Sequence, residues 1–129
     1  MILFDTDICI EILRGNKQVI SKRKNYDGII CISFISIAEL YYGAEKSGKK
    51  SNIFLIEKLL TTLEIINSDI EILKKFGELK CSLEKTGNRI ADADLLIAST
   101  ALTKCDKLIT GNVKHFKRIK ALKIEDWIR

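Results

Sequence analysis

Apolar positions along the chain alternate between short β-branched runs and longer stretches with helical spacing. Ile2–Phe4 is an apolar run that stops at Asp5, which predicts a buried strand with an acid at its carboxyl end. Asp5-Thr6-Asp7 then offers N-caps for a helix reaching about Arg14 and closed by Gly15. Lys17–Asn25 reads as a second short helix, basic in character. Gly28 precedes Ile29–Ile32, a β-branched run typical of a parallel strand covered on both faces. Ser33 or Ser36 can cap the next helix, predicted over Ile37 to about Ser47 with Glu39 in its first turns.

Beyond the charged break Lys46-Ser47-Gly48-Lys49-Lys50, Ile53, Ile56, Leu59, Leu60 and Leu63 recur at helical spacing. They predict a helix over Ile53–Leu63, with Glu64-Ile65-Ile66 as a candidate strand after it. Asn67-Ser68-Asp69 caps a long helix running to about Thr86 and ended by Gly87. Asn88–Leu102 opens with Asp92 and Asp94 and continues almost unbroken as apolar, the pattern of a buried helix with Asp94 in its first turn. Lys107–Ile109 predicts a fourth strand with Thr110-Gly111-Asn112 at its carboxyl end, and Ala121–Ile124 an edge strand before Trp127, a packing residue. No linker, repeat or low-complexity stretch interrupts the 129 residues, so one domain over 1–129 is expected.

Strands alternating with helices imply an α/β fold: a three-layer α/β/α sandwich around a central, mainly parallel sheet of four to five strands. In such sheets the ligand site lies beyond the carboxyl ends of the strands. Asp5 and Asn112 fall at predicted strand ends, and Glu39 and Asp94 near the amino ends of helices on that same side. Topology thus gathers four oxygen ligands from distant segments onto one rim. Each also has a plainer role open to it: Asp5 and Asp94 as helix caps, Glu39 as a surface residue, Asn112 as a turn residue. Asp92 and Asp94 point to nearly opposite sides of a helix, so Asp92 is expected to cap and Asp94 to bind. Asp7 favours a capping role, with Asp7, Asp92 and Thr110 as supporting candidates around the acids. His115, among lysines, is expected to be neither ligand nor base.

Composition sharpens the chemistry. Carboxylates gathered in an apolar site repel one another, and a divalent cation relieves this; oxygen donors without His or Cys suit Mg²⁺ or Mn²⁺. The net charge is +5, clustered at Lys22-Arg23-Lys24, Lys46 with Lys49-Lys50, and Lys114 through Lys123. Buried acids with a basic surface together suit metal-assisted hydrolysis of a polyanion, a nucleic acid. The four cysteines, Cys9, Cys31, Cys81 and Cys105, have no metal-ligand spacing and are expected to be reduced and mostly buried. No run approaches the roughly 18 apolar residues of a membrane span, and Asp5 interrupts any leader-like start, so a cytoplasmic location is expected.

These segments together resemble the PIN-domain ribonucleases, specifically the VapC toxins of toxin–antitoxin pairs. The resemblance spans essentially the whole chain. It rests on Ile2-Leu3-Phe4-Asp5-Thr6-Asp7, on Ile32 to Gly43 with Glu39, on Ile90 to Ser99 with Asp94, and on Leu108-Ile109-Thr110-Gly111-Asn112 followed by Phe116 and Glu125-Asp126-Trp127. It implies an endoribonuclease using Mg²⁺ or Mn²⁺ at Asp5, Asp94 and Glu39, with Asn112 orienting a water or ligating through its carbonyl oxygen. It also implies a homodimer silenced by a VapB-like antitoxin whose tail enters the acidic groove. Asp7 stands where Asn is more usual, and Asn112 leaves three charges rather than four. Two rivals stand beside this reading. One is a non-catalytic PIN-like module that binds RNA or protein. The other is a phosphohydrolase with Asp5 as covalent nucleophile, which leaves Glu39 without a role.

Overall fold

The computed structural model describes residues 1–129. Its strands are β1 (Ile2–Phe4), β2 (Ile30–Ser33), β3 (Glu64–Ile66), β4 (Lys107–Ile109) and β5 (Ile124–Glu125). They form one sheet in the order β3-β2-β1-β4-β5, with every neighbouring pair parallel. The helices are α1 (Thr6–Leu13), α2 (Lys17–Asn25), α3 (Phe34–Ser47), α4 (Lys50–Leu60), α5 (Ile70–Lys85), α6 (Asp92–Lys104) and α7 (Val113–Phe116).

Register explains why the central strands read as unbroken apolar runs. Leu3 pairs with Cys31 on one side and Leu108 on the other. Because side chains alternate across a strand, these three point to one face and their neighbours to the other. Ile2, Phe4, Ile32 and Ile109 pack with residues of α1 to α4, among them Ile8, Leu40 and Ile56. Leu3, Cys31 and Leu108 pack with Leu83 of α5, Leu95 and Ala98 of α6, and Phe116 of α7. The three-layer sandwich expected from the alternation is the fold observed.

Several boundaries differ from expectation, each for a local reason. Helix α3 starts at Phe34 rather than Ile37, because Ser33 is the cap and its Oγ accepts the Ser36 N–H at 3.3 Å. Helix α4 covers Lys50–Leu60 rather than Ile53–Leu63. It stops where the Thr61 and Thr62 hydroxyls donate to the carbonyls of Lys58 (2.7 Å) and Leu59 (2.6 Å). The last strand lies at Ile124–Glu125 instead of Ala121–Ile124, paired in register with Leu108 and Ile109. Cys9 and Cys31 are buried as expected, Cys105 is half-buried, and Cys81 is exposed; all are free thiols. No helix is long and apolar enough to cross a membrane.

Trp127 ties the end of the chain to the central strand. Its buried ring meets Phe4 edge-on, with centroids 5.3 Å apart, and its Nε1–H donates to Glu125 Oε2 at 3.0 Å. Trp127→Ala is expected to lower the unfolding free energy in a urea titration by about 3–5 kcal/mol, the usual cost of deleting a buried large aromatic.

Candidate active site

Strand β1 is the centre of the sheet, and the chain builds outwards from it first through β2 and later through β4. The strand order therefore reverses between β1 and β4, and a crevice opens beyond their carboxyl ends. Asp5 follows β1, Thr110 follows β4, and the Asp5 N–H donates to the Ile109 carbonyl at 2.9 Å across the gap. Asp5 is only 6% exposed. Its Oδ1 accepts the Thr6 N–H at 2.8 Å, and its Oδ2 accepts the Thr110 hydroxyl at 2.7 Å. It is thus the N-cap of α1, as well as the innermost acid of the crevice.

Thr6 extends this arrangement to α3. Its hydroxyl donates to Glu39 Oε1 at 2.6 Å and lies 3.0 Å from Ser36 Oγ. Glu39 is exposed, despite apolar neighbours in sequence, and Thr6 keeps its carboxylate turned to the Asp5 side. On the β4 side, Thr110 Oγ1 accepts the Asn112 N–H at 2.9 Å, while Gly111 N–H donates to Asp7 Oδ2 at 2.9 Å. A Cβ at Gly111 would meet Ile128 Cδ1 at 2.6 Å and Asp7 Oδ2 at 3.0 Å, so a larger residue there would displace the tips of those side chains. Arg129 closes the same turn, its Nη1 donating to the Gly111 carbonyl at 2.8 Å.

Asp94 lies in the first turn of α6 and is partly buried. Asp92 does not cap that helix. The cap position belongs to Ala91, which has no side-chain acceptor, and Asp92 is instead the exposed partner of Lys80 in an ion pair at 3.0 Å. Asn112 is exposed and opens α7 without a side-chain capping bond. The structure therefore links Asp5, Thr110, Asp7, Glu39 and the Asn112 backbone through hydrogen bonds, with both Asp94 and Asp92 outside the set. His115, set aside in the sequence as one polar residue among lysines, stands against Asp94 with Nδ1 3.5 Å from Oδ2. Only the short helix α7 brings it there, and four residues carry no legible periodicity.

Electrostatics single out Asp5. Burial, chiefly, and then the negative charge of Asp7 push its carboxyl up to about 7, against the hydrogen bonds from Thr110 and Thr6; Asp94 adds to the rise. Asp7 is also raised, mainly by burial, and its Oδ1 is buried without a hydrogen-bond partner. No three of the His, Cys, Asp and Glu side chains converge closely enough to form a ready-made cage. The donors nonetheless fit a hard divalent cation. Asp5, Asp94 and Glu39 offer carboxylate oxygens, and the repulsion that Asp7 and Asp94 exert on Asp5 is what a cation would offset.

A PIN-domain family model matches residues 2–122. The chain belongs to the PIN-domain family. It is 37% identical over 128 residues to a ribonuclease VapC2 of Haemophilus influenzae, covering 98% of this chain and 97% of that protein. It is 32% identical over 127 residues to a tRNA(fMet)-specific endonuclease VapC of Salmonella typhimurium, covering 97% and 96% respectively. Among solved structures, the VapBC2 complex of Rickettsia felis bound to a promoter DNA fragment superposes with a TM-score of 0.91 at 38% identity, over 98% of this chain and 99% of that one. The expected α/β PIN fold and the VapC resemblance thus both hold, and PIN-domain nucleases of this kind depend on divalent metal.

The Asp5 shift sets a pH dependence for the metal-free protein. Its folded value of about 7 lies above the ordinary 3.8, so the folded state holds the proton more tightly than the unfolded chain. That contribution to stability is fully present below about 3.8 and is lost as pH rises through about 7. In urea titrations with EDTA, wild type should lose stability between pH 4.5 and 7.5 relative to Asp5→Asn, which keeps the cap. Parallel pH profiles for the two proteins would contradict the assignment.

Proposed function

We propose that this PIN domain is an Mg²⁺- or Mn²⁺-dependent endoribonuclease, the toxin half of a toxin–antitoxin pair acting in the cytoplasm, with residues 1–129 as its one domain. The observation that carries the reading is the buried Asp5 carboxylate. A helix cap alone has no need to sit in an apolar crevice with its proton affinity raised to about 7 by burial and neighbouring acids. A pure binder of polyanions gains nothing from it, which sets aside the non-catalytic alternative. The nucleophilic-aspartate alternative gives no task to Glu39 or to the Thr6 hydroxyl that holds it.

In this reading Asp5, Asp94 and Glu39 hold the metal, and Asn112 orients water with its side-chain carbonyl. A bound divalent cation supplies Lewis acidity and lowers the pKa of a coordinated water. The protein's own residues do the rest. Thr6 and Thr110 hold the Asp5 oxygens at fixed angles, and Thr6 sets the position of Glu39. Asp7 secures the Gly111 turn from which Asn112 projects. The lysine clusters draw the RNA backbone towards this acidic centre.

The antitoxin reading has its own support. A groove of about 280 Å³ between α1, α3 and α4 is lined by Ile10, Leu13, Leu40, Leu55 and Ile56, with Glu39 and Arg14 supplying its charges. An apolar antitoxin tail fits such a groove, and a cationic residue following it would reach Glu39. The toxin is expected to work as a homodimer.

Purified Asp94→Asn and Asp5→Ala should each lose nearly all cleavage of RNA in Mg²⁺ while remaining folded, as judged by circular dichroism. Asp92→Ser should retain most activity, and EDTA should stop the wild type. Cleavage by Asp94→Asn at the wild-type rate would defeat the assignment.

A further inference from the structure

Only two buried side-chain polar atoms in the protein lack a hydrogen-bond partner: Asp7 Oδ1 and His115 Nδ1. Both belong to residues in contact with the crevice, where such atoms most need an explanation. His115 Nδ1 is the more informative, because the acceptor it faces, Asp94 Oδ2, stands 3.5 Å away, just beyond hydrogen-bond length. We propose that His115 is the positioning residue of Asp94, its Nδ1–H holding Oδ2 so that Oδ1 is the oxygen offered to the metal. This rests on the reading of Asp94 as a metal ligand.

The geometry around the ring supports the role. Two acceptors facing one another would repel, so the carboxylate selects the tautomer that carries its proton on Nδ1. The backbone that carries the imidazole is anchored, because the adjacent Phe116 is wholly buried in the second core layer with residues of β4 and α6. The Phe116 N–H also bonds back to the Asn112 carbonyl at 3.3 Å, fixing α7 as a single turn between Asn112 and Phe116, with His115 on it. Contacts of this kind are commonly long before a ligand is bound and shorten in the working complex. Carboxylates that ligate metals are themselves held by hydrogen bonds, and removing such a partner usually lowers metal affinity by about 10- to 100-fold.

The test is Mn²⁺ binding to the full chain, followed by electron paramagnetic resonance, with urea unfolding of the metal-free protein alongside. His115→Leu should weaken Mn²⁺ binding by about 10-fold or more without lowering metal-free stability. His115→Asn, whose amide N–H occupies the place of Nδ1–H, should recover most of the affinity. Equal weakening in the Leu and Asn variants would overturn the positioning role, as would wild-type affinity in His115→Leu. Asp94→Asn separates the two levels. If it loses Mn²⁺ while His115→Leu keeps it, only the role of His115 falls; if both keep it, the metal assignment of Asp94 falls as well.

Discussion

The burial of one carboxylate at the end of the central strand governs the arrangement of everything near it. Strand β1 is covered by helices on both faces, so the residue that follows it is left only 6% exposed. Had that residue been apolar, the crevice between β1 and β4 would be ordinary core. Because it is Asp5, the site stores an unfavourable charge whose relief is a cation or a proton. Thr6 and Thr110 reduce the penalty without cancelling it, since the carboxyl still titrates near 7. The surrounding acids, Asp7 and Asp94, deepen the same imbalance rather than correct it.

The flanks of the crevice differ in chemistry. On the α1–α3–α4 side the walls are apolar and lead to Glu39. On the α6–α7 side the rim is polar and basic, with Lys80 paired to Asp92 and Arg118 donating to the Arg89 carbonyl at 3.0 Å. The acidic centre thus lies between an apolar groove and a polar rim. Asp7 is raised mainly by burial, while Gly111 N–H meets one of its oxygens and the Arg129 guanidinium offsets part of its charge.

The layers, the place of Asp5 at the end of a strand and that of Asp94 in the first turn of a helix were legible in the sequence because they follow from alternation and chain direction. A strand buried on both faces leaves an apolar run, and parallel strands send their carboxyl ends to one side. Contacts set by tertiary packing were not legible. Asp92 looked like a cap because it precedes an apolar run, but Lys80 on α5 engages it and Ala91 takes the cap position. Helix α4 ends early because of two threonine hydroxyls that periodicity does not weigh. The approach of His115 to Asp94 depends on the single turn of α7 and on the depth of Phe116, neither of which spacing alone reveals.

The Asp5 carboxylate is buried beside other acids, a charge imbalance that a divalent cation would relieve. Carbon-13 NMR of the labelled aspartate carboxyls, titrated with and without Mg²⁺, reads this at the atom concerned. Asp5 should titrate near 7 in the metal-free protein and fall below its ordinary carboxylate range when Mg²⁺ is present. An Asp5 titration unchanged by saturating Mg²⁺, or already in the ordinary carboxylate range without it, would contradict the account.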